Sequence, residues 1–200
     1  ILFSQSFDII DRGIGTMADL NFGCQVALGF KEGPLDIMKR LGQTEVQRIM
    51  TRFQEDRPGF PAATQPFENY QGFHRHILTD VVDGVKIITI RRPQAMNALN
   101  DDVTDEICQV LESSANDPAV KGFVITGFGG HAFSAGADIG KFPTMLGDKD
   151  ASMQYARDCA RVPRHLDQRD KPVVAALNGL AMGGGLEVAI RCHGIVSVEK

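Results

Sequence analysis

Glu187 follows three consecutive glycines in Gly179-Leu180-Ala181-Met182-Gly183-Gly184-Gly185-Leu186-Glu187, after the apolar run Val173–Leu177. Glycine leaves its peptide N–H uncovered, so a ligand oxygen can approach the backbone closely. If a helix starts at these glycines, its first N–H groups lack partners and carry the positive end of the helix dipole. A carboxylate three residues beyond Gly184 projects from the same helix face. Two N–H donors on one carbonyl oxygen stabilise an enolate or oxyanion, and a neighbouring carboxylate can move a proton. A plainer role competes: an acid in a first helical turn stabilises the dipole by ~0.3–1 kcal/mol, and glycine-rich turns occur without ligands. Spacing alone leaves both open.

Nucleotide loops can be tested directly. Gly179 and Gly184 match the outer glycines of a P-loop, but Gly185 and Leu186 stand where it needs Lys and Ser or Thr. Gly183 and Gly185 supply G-x-G of a dinucleotide fingerprint, but Val188 occupies the third glycine position and Glu199 comes too early for the ribose-binding acid. A second loop has the construction of the first: Gly129 to Ile139 (GGHAFSAGADI) is made of small residues and follows the apolar stretch Phe123–Thr126. In α/β folds, loops at the carboxyl ends of neighbouring strands form the ligand crevice.

The elements that must hold these loops fall into two regions. Residues 1–56 read as helical, with Gly33-Pro34 opening a segment that Gly42 closes and Thr44 to Gln47 giving a capping-box start to the next helix. Residues 57–75 carry Pro58, Pro61 and Pro66 without apolar periodicity and read as a linker. From His76 the pattern becomes α/β. A strand pair turns at Asp83-Gly84, and a helix capped by Asn100 presents Val103, Ile107, Val110 and Leu111. A strand at 123–126, a helix over 151–170 despite Pro163, a strand at 173–177 and a helix from Gly185 to about Cys192 complete it.

The 21 basic and 25 acidic residues give a net charge of −4, which argues against nucleic acid as partner. Four scattered cysteines without a C-x-x-C pair fit neither a zinc site nor a disulfide framework and suggest a reducing compartment, the cytoplasm or an organelle matrix. No apolar run is long enough for a membrane span, and the chain begins without Met or a charged leader, so it reads as cut at its front. His74 and His76 form an H-x-H pair with no suitably spaced third ligand, so no metal site is expected. His165 and His193 read as structural, and Met145, Met153 and Met182 as packing residues.

Three segments in this order, RRPQAMNALN (91–100), HAFSAGADI (131–139) and AALNGLAMGGGLEVAIRCHGIVSVEK (175–200), resemble the crotonase superfamily of enoyl-CoA hydratases and isomerases. The resemblance spans residues 76–200 and implies part of a crotonase-like ββα spiral, preceded by the small helical domain. It implies an acyl-CoA substrate, no cofactor for hydration, and an oxyanion hole from the N–H groups of Ala137 and Gly184. Glu187 would be one of two catalytic glutamates. Gln94, Ala95 and Met96, with Ala135, Asp138, Ile139 and Gly140, would border the acyl-CoA, and Arg92, His131 and Lys141 are candidate phosphate contacts. Asp138 has a rival role as a local cap. The second glutamate is expected beyond Lys200, so the chain reads as cut behind too; the C-terminal helices that make family members homo-oligomers would lie there. Residues 11–42 resemble, more loosely, the C-terminal helical domain of 3-hydroxyacyl-CoA dehydrogenases, implying a fused dehydrogenase–hydratase parent with an NAD site upstream of Ile1. An isomerase or hydrolase on the same fold, and a non-catalytic acyl-CoA-binding or assembly module, are the alternatives.

Overall fold

The computed structural model describes residues 1–168 and 170–199, and at Lys141 and Thr144 the backbone alone. The chain divides into two units, Ile1–Arg75 and His76–Lys200.

In the first unit, α1 (Leu2–Asp11), α2 (Met17–Leu28), α3 (Pro34–Leu41) and α4 (Gln43–Asp56) bury Phe3, Phe7, Leu35, Met38, Val46 and Met50 together. Pro34 occupies the first turn of α3, where its missing N–H costs nothing. The expected capping box at Thr44 does not form. Gly42, at φ +79, turns the chain sharply enough for α4 to begin at Gln43, and no side chain caps it. The linker expected over 57–75 is also corrected, because this stretch packs into the helical unit. Tyr70 is fully buried. Its hydroxyl lies 2.8 and 2.9 Å from the two Asp11 carboxylate oxygens and accepts the N–H groups of Thr64 and Gln65. Phe67 and Phe73 join the same core. Isolated aromatic anchors, unlike a helical stripe, leave no periodicity to read.

In the second unit, β1 (Ile77–Val82) and β2 (Val85–Ile90) form the expected hairpin, with both turn residues left-handed, Asp83 at φ 53 and Gly84 at φ 83. The first strand begins four residues before Val81, its expected start. After β2 come α5 (Asp101–Ser113), β3 (Gly122–Gly127) and the three-residue strand β4 (Ala132–Ser134). The Asn100 side chain caps α5 by accepting the Val103 N–H. The short α6 (Phe142–Met145) leads to α7 (Lys149–Cys159) and α8 (Arg161–Asp167), so the single helix expected over 151–170 is broken at Ala160, with Pro163 placed in the first turn of the second piece. Strand β5 (Val173–Leu177), the two-residue β6 (Leu180–Ala181), α9 (Gly184–Arg191) and β7 (Gly194–Ser197) follow.

The main sheet has the order β1-β2-β3-β5-β7, antiparallel at the hairpin and parallel beyond it. Ile88, Ile90, Ile107, Leu111, Phe123 and Ile125 lie in its core. This is the α/β class with a helical N-terminal region expected from the sequence. Because β3 and β5 are parallel neighbours, the loops that leave them emerge at the same sheet end. There β4 and β6 pair as a second small sheet, which brings residues 132–134 against 180–181.

Candidate active site

The two small-residue loops meet backbone to backbone. A Cβ placed on Gly184 would stand 3.5 Å from the Ala137 nitrogen, and one on Gly136 would stand 2.9 Å from the Gly184 nitrogen. The direction of each N–H follows from its peptide. In a planar trans peptide the N–H points opposite to the preceding C=O. The Gly136 carbonyl accepts the Leu99 N–H at 2.7 Å, so the Ala137 N–H faces away from Leu99. The Gly183 carbonyl accepts the Glu187 N–H at 3.0 Å, the first full turn of α9, so the Gly184 N–H points out of the helix start. Among the described residues neither N–H meets an acceptor. Two adjacent free donors can hold one oxygen atom.

Each of the three glycines has its own task. Gly183 adopts φ 47, ψ −127 as the residue before α9, a conformation that side chains disfavour. Gly184 exposes the donor. Gly185 lies so near Ser134 that a Cβ would come within 2.5 Å of its carbonyl oxygen. On the opposite loop Gly136 has φ +95 and no room for a Cβ, with Met182 O at 2.7 Å.

Residues 96–99 hold the Ala137 loop like a splint. The Met96 carbonyl accepts the Ala135 N–H, and Leu99 bridges Ala137 by accepting the Asp138 N–H at 2.9 Å. Asn97 is buried at φ 56; its amide donates to the carbonyls of Phe128 and Ala132 and accepts the Arg92 N–H. Asn178 staples the ends of β3 and β5: its amide donates to the carbonyls of Gly127 and Gly129 and accepts the Gly127 N–H. Sequence reasoning passed over both asparagines. The available signal was the residue type, a short amide that tolerates left-handed backbone, as at Asn97, and satisfies main-chain groups, as Asn178 does at the end of its apolar run.

Glu187 lies in the first turn of α9 with an exposed side chain that, among the described residues, makes no hydrogen bond or ion pair. A small pocket of about 20 Å³, room for about one water, adjoins the donors and is lined by Ala137, Gly184, Tyr155, Cys159, Asp101 and Thr104 among others. Burial, reinforced by a hydrogen bond with the Cys159 thiol, pushes the Tyr155 phenol far above its ordinary range. Burial raises the Cys159 thiol as well; the Tyr155 bond partly offsets this, and the charges of Asp101 and Glu187 add to it. Both groups are therefore neutral at physiological pH, and the carboxylates near the pocket are Asp101 and Asp158 in its lining and Glu187 one turn beyond Gly184. A larger cavity of about 340 Å³ in the helical unit contains no titratable side chain but Tyr70, whose hydroxyl is fully engaged, so acid–base chemistry is better placed at the smaller pocket.

The remaining expected residues fall around this centre. Gln94 and Ala95 belong to a one-turn helix at Pro93–Ala95, and Met96 follows it half-exposed. Ala135 is partly buried, whereas Ile139 and Gly140 are exposed beyond Ala137. Asp138 does act as a cap, since its Oδ1 accepts the Gly140 N–H at 3.0 Å. The expectation of Arg92 as a phosphate contact is corrected: its guanidinium is largely buried, 2.9 Å from Asp138 Oδ2 and 2.7 Å from the Ala98 carbonyl. His131 is exposed, and the Lys141 side chain lies outside the described residues. His165 bonds Glu112, and His193 accepts the Val173 N–H. The described residues contain no metal-binding cluster of His, Cys, Asp and Glu, and no helix long and apolar enough to cross a membrane.

A largely parallel sheet whose strand-end loops bring two free amides together at the start of a helix with a carboxylate in its first turn places the second unit among α/β folds equipped to bind a carbonyl oxygen. The model of the enoyl-CoA hydratase/isomerase family matches residues 80–200, and the chain belongs to that family. It is 42% identical over 116 residues to the mitochondrial enoyl-CoA hydratase of Pongo abelii, covering 58% of this chain and 38% of that protein. It is 40% identical over 108 residues to the short-chain-enoyl-CoA hydratase of Clostridium acetobutylicum, covering 54% of this chain and 41% of that protein. The crystal structure of an enoyl-CoA hydratase/carnithine racemase from Magnetospirillum magneticum superposes with a TM-score of 0.58 at 29% identity, over 61% of this chain and 46% of that one. The chain thus spans less than half the length of these relatives.

Proposed function

We propose that residues 76–200 form part of an enoyl-CoA hydratase site that adds water across the double bond of a 2-enoyl-CoA thioester. The observation that carries this reading is the close approach of the Ala137 and Gly184 backbone nitrogens at the start of α9, one turn before Glu187, whose side chain has no competing partner among the described residues. The two amides donate hydrogen bonds to the thioester oxygen, and these strengthen as negative charge moves onto it. Water oxygen bonds to the β carbon, the double-bond electrons pass toward the carbonyl as an enolate, and the water's proton is relayed to the α carbon. Glu187 is one acid/base of that relay, with a second carboxylate expected beyond Lys200. Atoms balance with water alone, so the step needs no redox cofactor.

Gln94, Ala95, Met96, Ala135, Asp138, Ile139 and Gly140 border the acyl-CoA in this reading; exposed Met96 and Ile139 offer it apolar contact. The free state of all four cysteines supports a reducing compartment. For the helical unit, the resemblance of residues 11–42 supports a parent enzyme that also oxidises the 3-hydroxyacyl-CoA product with NAD, and the crotonase resemblance of residues 76–200 supports assembly as a homo-oligomer.

The test is hydration of a short enoyl-CoA by the full-length protein and its Glu187→Gln variant. The expected loss in kcat is ~10²–10⁴-fold with thioester binding retained. Unchanged turnover would remove Glu187 from the mechanism. Wild-type binding without turnover would favour the acyl-CoA-binding module, and double-bond migration without hydration the isomerase. NAD reduction with 3-hydroxyacyl-CoA decides the fusion.

A further inference from the structure

We infer that Arg92 is a positioning residue for the oxyanion hole, acting on the Ala137 donor through Asp138. The inference rests on the proposed hydratase site and adds a working part to it.

The Ala137 N–H is aimed by a short ladder with Leu99, whose two rungs are Leu99 N–H to Gly136 O at 2.7 Å and Asp138 N–H to Leu99 O at 2.9 Å. Arg92 ties the two sides of that ladder together. Nη1 donates to the carbonyl of Ala98, the residue before Leu99, at 2.7 Å. Nη2 donates to the carboxylate of Asp138, the residue after Ala137, at 2.9 Å. The Arg92 side chain is 13% exposed and that of Asp138 29%, so the pair is only partly screened. Its own backbone is fixed as well, because the Arg92 N–H donates to the buried Asn97 amide oxygen at 3.0 Å. The Asp138 carbonyl accepts the Tyr155 hydroxyl at 3.2 Å, which fixes the loop from the pocket side.

A planar fork reaching two acceptors is a task for arginine that a lysine point charge cannot reproduce. Without it, the two sides of the ladder can slide against each other and loosen its rungs, so the Gly136–Ala137 peptide they hold loses the aim of its N–H at the ligand oxygen. Rate is sensitive to such errors, since misplacement by about 1 Å costs on the order of 10²-fold.

The experiment measures the carbonyl stretch of butyryl-CoA bound to the full-length protein by difference infrared spectroscopy, alongside kcat and KM for hydration of a short enoyl-CoA. Butyryl-CoA has no double bond to hydrate, so its carbonyl shift reports the donors independently of turnover. The expected result for Arg92→Met is a smaller carbonyl shift with kcat down ~10-fold or more and KM changed less than about threefold. Asp138→Asn, which keeps the acceptor for Gly140, should show the same split, and the double variant should lose little beyond either single one. Arg92→Lys should recover only part of the shift. A wild-type carbonyl shift in Arg92→Met overturns the inference, as does a rise in KM alone, which would return Arg92 to phosphate binding. Should Arg92→Met fail to fold, the carbonyl shift in Asp138→Asn decides by the same criterion. A normal wild-type carbonyl shift without hydration refutes the hydratase reading while leaving the positioning role standing; no carbonyl shift in wild type refutes both.

Discussion

Gly136→Ala is the sharpest perturbation of the proposed oxyanion hole, because it adds one methyl group where the two loops touch. The new Cβ would sit 2.7 Å from Met182 O and 2.9 Å from Gly184 N, both backbone atoms that no rotamer change can move. Ordinary carbon–oxygen contact begins at about 3.3 Å, so relief requires the loops to part by roughly 0.6 Å. Gly136 also holds φ +95, where an L side chain costs ~1–2 kcal/mol, and overpacking adds ~1–3 kcal/mol. The variant should therefore lose about 2–5 kcal/mol of stability. It should also lose at least ~10-fold in kcat, since the displaced atom is the donor nitrogen of Gly184 itself. Thermal unfolding and enoyl-CoA hydration, measured on the same preparation, check both. Gly130→Ala is the control: no atom lies within 4 Å of its Cβ and its φ lies outside the left-handed range, so it should be neutral. A Gly136→Ala protein within about twofold of wild-type kcat would refute the argument that contact between these loops sets the donor geometry.

Two further outcomes test other parts of the chain. Burial opposes ionisation of Asp11, but the bonds from Tyr70, Thr64 and Gln65 outweigh it and hold the carboxyl below its ordinary value. A lowered folded pKa gives stability that is complete above the unfolded value, about 3.9, and is lost as pH falls through the folded one. Tyr70→Phe should thus destabilise the helical unit by ~1–3 kcal/mol near neutral pH and flatten the acid side of its stability curve; an unchanged acid limb by circular dichroism would exclude the linkage. Burial pushes the Cys192 thiol up to about 11. A thiolate-specific reagent at pH 8 should modify it only upon unfolding, and labelling of the native protein at the rate of a free thiol would show that the shift is absent.

The sequence was legible where a signal is local and repeats. Asp83-Gly84 announces the hairpin, Asn100 and the apolar face from Val103 to Leu111 announce α5, and the runs at 123–126 and 173–177 announce parallel strands. Elements without a period were invisible. Strands of three and two residues, β4 and β6, pair only because β3 and β5 carry their loops to one sheet end. Tyr70 anchors the presumed linker through a carboxylate 59 residues away. Glu187 could be picked out by chemistry, because a carboxylate is a side chain. The triple glycine pointed to a bare N–H at Gly184, but Ala137 could not be picked out, since a backbone donor has no residue type, and only the family resemblance drew it out. Arg92 shows the converse: its charge was plain, but its burial against Asp138, 46 residues on, was not, so it was read as a surface contact for phosphate.

That invisibility follows from how the proposed hole is made. Each donor N–H is aimed by anchoring the carbonyl of its own peptide, Gly136 O on Leu99 and Gly183 O on Glu187. The anchors differ in kind: one is a two-rung ladder to a segment 37 residues earlier, the other the first turn of α9. Donors fixed in this way need no reorientation when charge develops on a bound carbonyl oxygen such as that of the proposed thioester, which is the condition for electrostatic preorganisation. In the proposed mechanism Glu187 has two tasks. Its backbone N–H closes the turn that aims Gly184, while its side chain would move the proton. Glu187→Gln keeps the first task and removes the second, so a loss of turnover in that variant with the butyryl-CoA carbonyl shift intact would separate chemistry from scaffold within a single residue.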